Sequence, residues 1–228
     1  YYFPLSATRA LESMGFKQPI TPTADARSSS DFCYPLHPLK VQNAQRPNIV
    51  FLFIDSWNKR TLTPETMPHV YRLATESQWY DNHFSCSNGT RTSIFGLFFS
   101  VPGHYWESFV PSHVSPVFID ELLAEGYQLR IHGSATLVDP PFASAIFQRV
   151  PPLQISTPGA TTYDRDRRIT TDFIRELPTL KQKAPFFAFL FYDLAHSFEY
   201  PKKLPKKFTP SWDYADYTRL NNDTDPTP

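Results

Sequence analysis

Two segments of the chain carry side chains that could form a site with a metal ion and a hydroxyl nucleophile. Asn48–Asp55 is a run of six apolar residues between an asparagine and the carboxylate of Asp55. About thirty residues later, Cys86–Ser93 is a hydroxyl-rich turn that leads into the apolar segment Ile94–Phe99. A carboxylate at a strand end and a hydroxyl at a helix start can bind a divalent cation, which lowers the pKa of the hydroxyl. Such side chains are also ordinary turn and cap residues, so spacing alone leaves both interpretations open.

A third segment adds an acid and an imidazole. Phe186–Tyr192 is a run of seven apolar residues, and Asp193 and His196 follow it directly. Because sites in open parallel sheets gather at the carboxyl ends of the strands, we expect Asp55, Asp193 and the hydroxyl-rich turn to lie near one another. Carboxylates and imidazoles are ligands that divalent cations accept.

Composition excludes some classes of protein. The 228 residues contain 22 Lys+Arg and 22 Asp+Glu, a balance that argues against a nucleic-acid-binding protein. The longest apolar run is far shorter than the roughly 20 residues that a membrane-spanning helix needs. The chain begins without Met, so we expect a part of a longer protein whose anchor has been removed. Cys33 and Cys86 permit at most one disulfide, and the sequence leaves open whether it forms.

The chain alternates between strand and helix patterns after about residue 46. Continuously apolar strands between amphipathic helices indicate an α/β fold, with a mostly parallel sheet covered by helices on both faces. We expect residues 1–46 to form an extended lead-in arm or linker and residues 47–228 to form the N-terminal part of one domain. The predicted strands are Ile49–Ile54, Trp79–Phe84, Tyr127–Ile131 and Phe186–Tyr192. The predicted helices are Ser6–Phe16, one capped by Thr66 with Pro68 in its first turn, Ile94–Phe99, Val117–Glu125 capped by Ser115, and Asp164–Leu177 ended by Pro178.

Four segments, in this order along the chain, resemble the alkaline phosphatase/sulfatase superfamily. Arg46–Asp55 is similar to the opening strand of that superfamily, and Thr66–Ala74 to the helix that follows. Gly89–Ser100 resembles the nucleophile turn of phosphoethanolamine transferases and lipoteichoic acid synthases, and Pro185–His196 resembles a late strand. The fold that this resemblance implies is sulfatase-like and incomplete at its C-terminus.

The resemblance also implies roles for individual residues. Asp55 takes the place of a metal ligand, and the register places the nucleophile, which is also a metal ligand, on Thr92; a shift of register would place it on Thr90. Arg91 and His196 are implied to contact substrate. The implied cofactor is a divalent metal (Mg, Mn or Zn). Active members add a later Asp-His pair that is not found in these 228 residues, so we expect only part of the metal site here.

The lead-in arm and the turn after Asp55 resemble an inner-membrane branch of the superfamily. This resemblance implies a domain at the periplasmic face of the bacterial inner membrane, tethered by an N-terminal anchor. It implies binding of anionic lipid, lipopolysaccharide or cardiolipin, and regulation of outer-membrane lipid through a protein partner. The lysine pairs that could meet lipid headgroups are Lys202, Lys203, Lys206 and Lys207. The alternatives are a metal-dependent phosphoester hydrolase or transferase that uses Thr92, and an inert scaffold.

Overall fold

The computed structural model describes residues 33–39, 41, 45–197 and 199. The chain divides into two units, Tyr1–Leu36 and His37–Pro228. The predicted helix Ser6–Phe16 and the four lysines between Lys202 and Lys207 lie outside the described residues. The predicted boundary between arm and domain at residue 46 stays a prediction.

Among the described residues of the second unit, three parallel strands form the centre. They are β1 (Ile49–Ile54), β2 (Gln128–Gly133) and β3 (Phe186–Tyr192), in the spatial order β1-β3-β2. β3 is the middle strand, with Phe186 to Phe191 all buried, which explains why its sequence is continuously apolar rather than alternating. Because all three strands run in the same direction, their carboxyl ends share one edge of the sheet.

Helices cover both faces of this sheet. On one face Phe173 and Leu180 pack against Phe186, Ala188 and Leu190 of β3. On the other face aromatic rings pack together, with the Phe98 and Phe189 ring centroids 5.3 Å apart. The predicted α/β class is therefore confirmed. Where the structure describes the chain, its α-helices are α1 (Pro68–Thr75), α2 (Thr90–Phe99), α3 (Trp106–Phe109), α4 (Val117–Ala124), α5 (Phe142–Ala145), α6 (Thr162–Lys183) and α7 (Leu194–Ser197).

The predicted strand Trp79–Phe84 is wrong. These residues form turns and irregular backbone, and Trp79, Tyr80 and Phe84 are 49%, 71% and 83% exposed. Aromatic residues favour strands because they pack on a pleated, half-buried surface. This segment is not part of the sheet, so its aromatic side chains have no pleated surface to pack on and do not favour a strand here.

The predicted end of α6 at Pro178 is also wrong. A helix-interior proline removes one hydrogen bond and clashes with the carbonyl four residues earlier, at a cost of about 3 kcal/mol. The helix nevertheless continues to Lys183 with Pro178 inside it. Leu177 and Leu180 pack against the core on either side of the proline, and the side chain of Gln128 donates to the Leu180 carbonyl at 3.2 Å. Tertiary contacts therefore outweigh the local preference.

Two predicted caps do not cap their helices. Met67 occupies the N-cap of α1 without a side-chain cap, while the Thr66 hydroxyl donates to the Thr61 carbonyl. Pro116 occupies the N-cap of α4, and Ser115 Oγ is buried with no hydrogen-bond partner among the described residues. Both cysteines are free thiols. Among the described residues, no helix has the length and apolar character needed to cross a bilayer.

Candidate functional site

Asp55 and Thr90 meet at the carboxyl edge of the sheet. Asp55 follows β1, is 8% exposed, and its backbone N–H donates to the Tyr192 carbonyl at 2.9 Å, which extends the pairing of β1 with β3. Gly89, in an extended conformation, is the N-cap of α2, so Thr90 is the first helical residue. The Thr90 hydroxyl lies 3.1 Å from Asp55 Oδ1 and 2.9 Å from Oδ2. The first turn of α2 therefore presents a hydroxyl to a buried carboxylate, beside backbone N–H groups that favour an anion.

Thr92 has different partners from Thr90. Its hydroxyl donates to Ser87 Oγ at 2.7 Å and lies 3.3 Å from the Gly89 carbonyl oxygen. Its backbone and Cβ pack so closely on Gly103 that a Cβ at that glycine would lie 2.7 Å from Thr92 Cβ. The structure thus places Thr90 against Asp55 and Thr92 against the preceding loop.

The turn after β3 brings a second carboxylate to the site. Asp166 of α6 accepts hydrogen bonds from the backbone N–H groups of Asp193 and Leu194, each at 3.1 Å. The Asp193 side chain accepts a hydrogen bond from Ser197 Oγ at 3.0 Å. Burial raises the pKa of the Asp193 carboxyl above its ordinary value of 3.8, and the carboxylates of Asp55 and Asp166 contribute to the rise, while the hydrogen bond from Ser197 and the nearby His196 oppose it.

His196 lies one turn beyond Asp193 and is exposed. Its Nδ1 lies 2.9 Å from Ser56 Oγ. Ser56 itself directly follows Asp55, and its Oγ lies 3.5 Å from Asp55 Oδ1. The Ser56 hydroxyl therefore lies between the carboxylate of Asp55, which follows β1, and the imidazole of His196, which follows β3.

The donor atoms at this edge fit a divalent cation. Asp55, Asp193 and His196 each offer one ligand atom, and these atoms lie within 4.8 Å of one another. Two buried carboxylates so close together repel each other, and a bound cation would relieve that repulsion. The carboxylate oxygens suit Mg²⁺ or Mn²⁺ without the imidazole, and a ligand set that included the imidazole would also suit Zn²⁺.

Arg91 contacts residues outside this cluster. Its guanidinium lies 3.5 Å from Glu107 Oε1 and 5.6 Å from the centroid of the Trp106 ring. The structure therefore brings together Asp55, His196 and Thr90, and gives Arg91 other partners. The position of Asp193 after a predicted strand marked it in the sequence as a candidate site residue. No local sequence pattern predicted that Ser56 or Asp166 would contact the site.

A second group of charged side chains lies at β2. His132 Nε2 is 3.5 Å from Glu176 Oε2, and Arg130 Nε is 3.2 Å from the same oxygen. His132 and Glu176 line a cavity of about 650 Å³ beside Pro152–Gln154. Burial lowers the pKa of His132 below its ordinary value of 6.5, although the carboxylates of Glu176 and Asp172 act in the opposite direction.

Comparison with known proteins gives a family and distant relatives. The Sulfatase family model matches residues 47–225. The chain is 29% identical over 150 residues to an uncharacterized protein of Haemophilus influenzae, a match that covers 66% of this chain and 25% of that protein. It is 25% identical over 167 residues to the inner membrane protein YejM of Salmonella typhimurium, a match that covers 70% of this chain and 27% of that protein. The chain thus spans about a quarter of the length of these relatives.

Proposed function

Because this chain belongs to the sulfatase family and is a distant homologue of the inner membrane protein YejM, we propose that it binds the phosphorylated headgroup of an anionic lipid. The ligand is lipopolysaccharide or cardiolipin, and the site is the one around Asp55. The domain acts at the periplasmic face of the bacterial inner membrane and reports lipid binding to a regulatory protein partner, which adjusts the outer-membrane lipid supply.

One observation carries this proposal: Asp55, Thr90, Asp193 and His196 converge at one edge of the sheet. Asp55, Asp193 and the Thr90 hydroxyl supply oxygen donors for the cation. A divalent cation bound there would neutralise the two carboxylates and attract phosphate oxygens. The exposed imidazole of His196 and the N-terminal turn of α2 are then placed to hold the phosphate.

The lipid proposal is tested by co-sedimentation with vesicles. Wild-type protein with Mn²⁺ is expected to pellet with phosphatidylcholine vesicles that contain cardiolipin and to stay in solution with phosphatidylcholine alone. Asp55→Asn is expected to abolish the difference, while the control Glu125→Gln, at the opposite edge of the sheet before β2, retains it. Binding that is equal for Asp55→Asn and wild type would contradict the proposal.

A separate arm of this experiment reverses the charge of the four lysines at 202, 203, 206 and 207. If these residues meet the headgroups, vesicle binding is expected to weaken by at least about 1 kcal/mol for each lysine near the anionic surface, because charge reversal removes an attraction and adds a repulsion. Unchanged binding would exclude this lysine patch and leave the Asp55 site to be judged by its own variants.

A second function is favoured by the hydrogen bonds from Thr90 to both oxygens of Asp55. In a metal-dependent phosphoester hydrolase or transferase, Thr90 Oγ1 would attack phosphorus while Asp55 accepts the hydroxyl proton. The ester oxygen would leave with the electrons of the broken P–O bond, and water or an acceptor alcohol would then release the phosphoryl group from Thr90. Thr92 is the alternative nucleophile.

Turnover of bis(p-nitrophenyl) phosphate with Mn²⁺ distinguishes the two threonines. If the domain is an enzyme, Thr90→Ala is expected to lower the rate by more than about a hundredfold. Thr92→Ala is the matched control on the same helical turn and is expected to retain most of the rate. The reverse pattern would place the nucleophile on Thr92, and no turnover by wild type would leave lipid binding as the function.

A further inference from the structure

Ser56 has an unusual backbone conformation for its residue type. Its φ is 57°, in the left-handed region that glycine adopts readily and other residues rarely adopt. It lies directly between Asp55 and the loop that leads to the 3₁₀ turn Lys59–Thr61. Strained residues of this kind persist where the surrounding structure holds them, and they concentrate at binding and catalytic sites.

The strained turn places the Ser56 hydroxyl between two site residues. The distance from Oγ is 2.9 Å to His196 Nδ1 and 3.5 Å to Asp55 Oδ1. Both oxygens of Asp55 already accept the Thr90 hydroxyl. A hydroxyl has one proton to donate, and the contact to His196 Nδ1 is shorter than the contact to Asp55 Oδ1; the shorter contact favours donation from Ser56 to the imidazole.

A neutral imidazole that accepts at Nδ1 carries its proton on Nε2. Nε2 is then a hydrogen-bond donor on a side chain that is exposed to solvent. A donor of this kind can bind an anionic oxygen beside two carboxylates that would otherwise repel it. The hydrogen bond from the Ser56 hydroxyl to Nδ1 thus makes Nε2 of His196 a hydrogen-bond donor.

We propose that Ser56 is a positioning residue: it holds the His196 ring in the tautomer and orientation that donate from Nε2 to a phosphate oxygen. This inference rests on the proposed function for its ligand, a phosphomonoester or phosphodiester group next to the cation. The contact between Ser56 and His196 can be tested without any ligand.

The first test is a long-range ¹H–¹⁵N spectrum of the chain labelled with ¹⁵N-histidine, with His196 assigned by its loss in His196→Gln. At a pH where histidine is neutral, His196 is expected to have an unprotonated, hydrogen-bonded Nδ1 and a protonated Nε2. Ser56→Ala and Ser56→Gly are both expected to shift Nδ1 in the same way, because both remove the hydroxyl. Ser56→Gly also relieves the left-handed strain, so agreement between the two separates the hydroxyl from the backbone.

Ser100 provides the matched control for backbone strain. It has the same φ of 57° at the C-terminal end of α2. Ser100→Gly is expected to leave the His196 resonances unchanged. A proton on Nδ1 in wild type, or His196 resonances that are the same in Ser56→Ala and wild type, would overturn the proposal.

The second test measures binding by calorimetry, first of Mn²⁺ and then of inorganic phosphate in the presence of Mn²⁺. Ser56→Ala is expected to raise the Kd for phosphate about tenfold and to leave the Kd for Mn²⁺ near that of wild type. In the His196→Gln background, Ser56→Ala is expected to add no further loss, because Ser56 acts through His196.

Each outcome of the calorimetry has a distinct meaning. A loss of Mn²⁺ affinity in Ser56→Ala and His196→Gln would make His196 a metal ligand and overturn its role toward phosphate. Additive losses in the double variant would show that Ser56 acts independently of His196. Failure of wild type to bind phosphate would count against the proposed function, while the spectra still decide whether Ser56 positions His196.

Discussion

Thr90 and Thr92 lie two residues apart at the start of α2. Successive residues in an α-helix are rotated by about 100° around the helix axis. The side chains of two residues that are two positions apart therefore point to nearly opposite sides of the helix. Thr90 therefore meets Asp55 and Thr92 meets Ser87. At the residue scale, the choice between them depends on where the helix begins, and that is set by the extended conformation of Gly89.

His132 is a residue whose titration should be visible in stability. Its pKa in the folded chain lies below 6.5 because burial disfavours the imidazolium more than Glu176 and Asp172 favour it. Between the two pKa values the unfolded chain binds a proton that the folded chain does not bind. We therefore expect neutral His132 to make its whole contribution to the free energy of unfolding above pH 6.5. As the pH drops below 6.5, that free energy is expected to fall by at most about 1.4 kcal/mol per pH unit.

Urea unfolding over a series of pH values measures this effect. His132→Gln is expected to flatten the pH dependence in that window, and His69→Gln, at an exposed histidine on α1, is the matched substitution control. An unchanged slope in His132→Gln would show that His132 titrates alike in the folded and unfolded chains.

At the scale of elements, the loop before α2 is held by a close contact. A Cβ at Gly96 would lie 2.6 Å from Cys86 Cβ and 2.8 Å from its Sγ, so only glycine lets the loop approach the helix this closely. The same loop provides Ser87, which binds both Thr92 and Ser93. The packing of the loop on α2 therefore fixes the first turn of the helix that presents Thr90.

Gly96→Ala tests this contact. Alanine should stabilise a helix interior by roughly 0.5–1 kcal/mol over glycine, but we expect a net loss of about 1–3 kcal/mol from overpacking against Cys86. Adding Cys86→Gly to Gly96→Ala is expected to recover most of that loss in urea unfolding, and Cys86→Gly alone gives the reference for the cycle. If the double variant remains as unstable as Gly96→Ala, the clash lies elsewhere.

The elements also show what local sequence can predict. Ile49–Ile54 and Phe186–Tyr192 were predicted with the bounds that the structure gives them, because a continuous apolar run of that length suits a buried parallel strand. Trp79–Phe84 has equally strand-like residues but forms no strand, because it makes no pairing with the sheet. Whether a segment pairs with the sheet cannot be predicted from its composition. Pro178 was predicted to end a helix that tertiary packing extends to Lys183.

At the scale of the whole molecule, the parallel sheet assembles the site from distant parts of the sequence. Asp55 and His196 are joined through Ser56, whose partner is 140 residues away. The rule that sites gather at carboxyl ends of parallel strands predicted this neighbourhood, including Asp55 and Asp193. It could not predict Asp166, because that contact depends on how α6 lies against the end of β3 rather than on any local pattern.

We propose that Asp55 and Asp193 form one cation site at this edge, and titration with Mn²⁺ followed by electron paramagnetic resonance measures binding at that site. Wild type and Glu125→Gln are expected to bind one Mn²⁺ per chain. Asp55→Asn and Asp193→Asn are each expected to weaken binding by at least about tenfold, since each removes a charged ligand. Absence of Mn²⁺ binding by wild type, or binding by both asparagine variants as tight as that of wild type, would rule out this site.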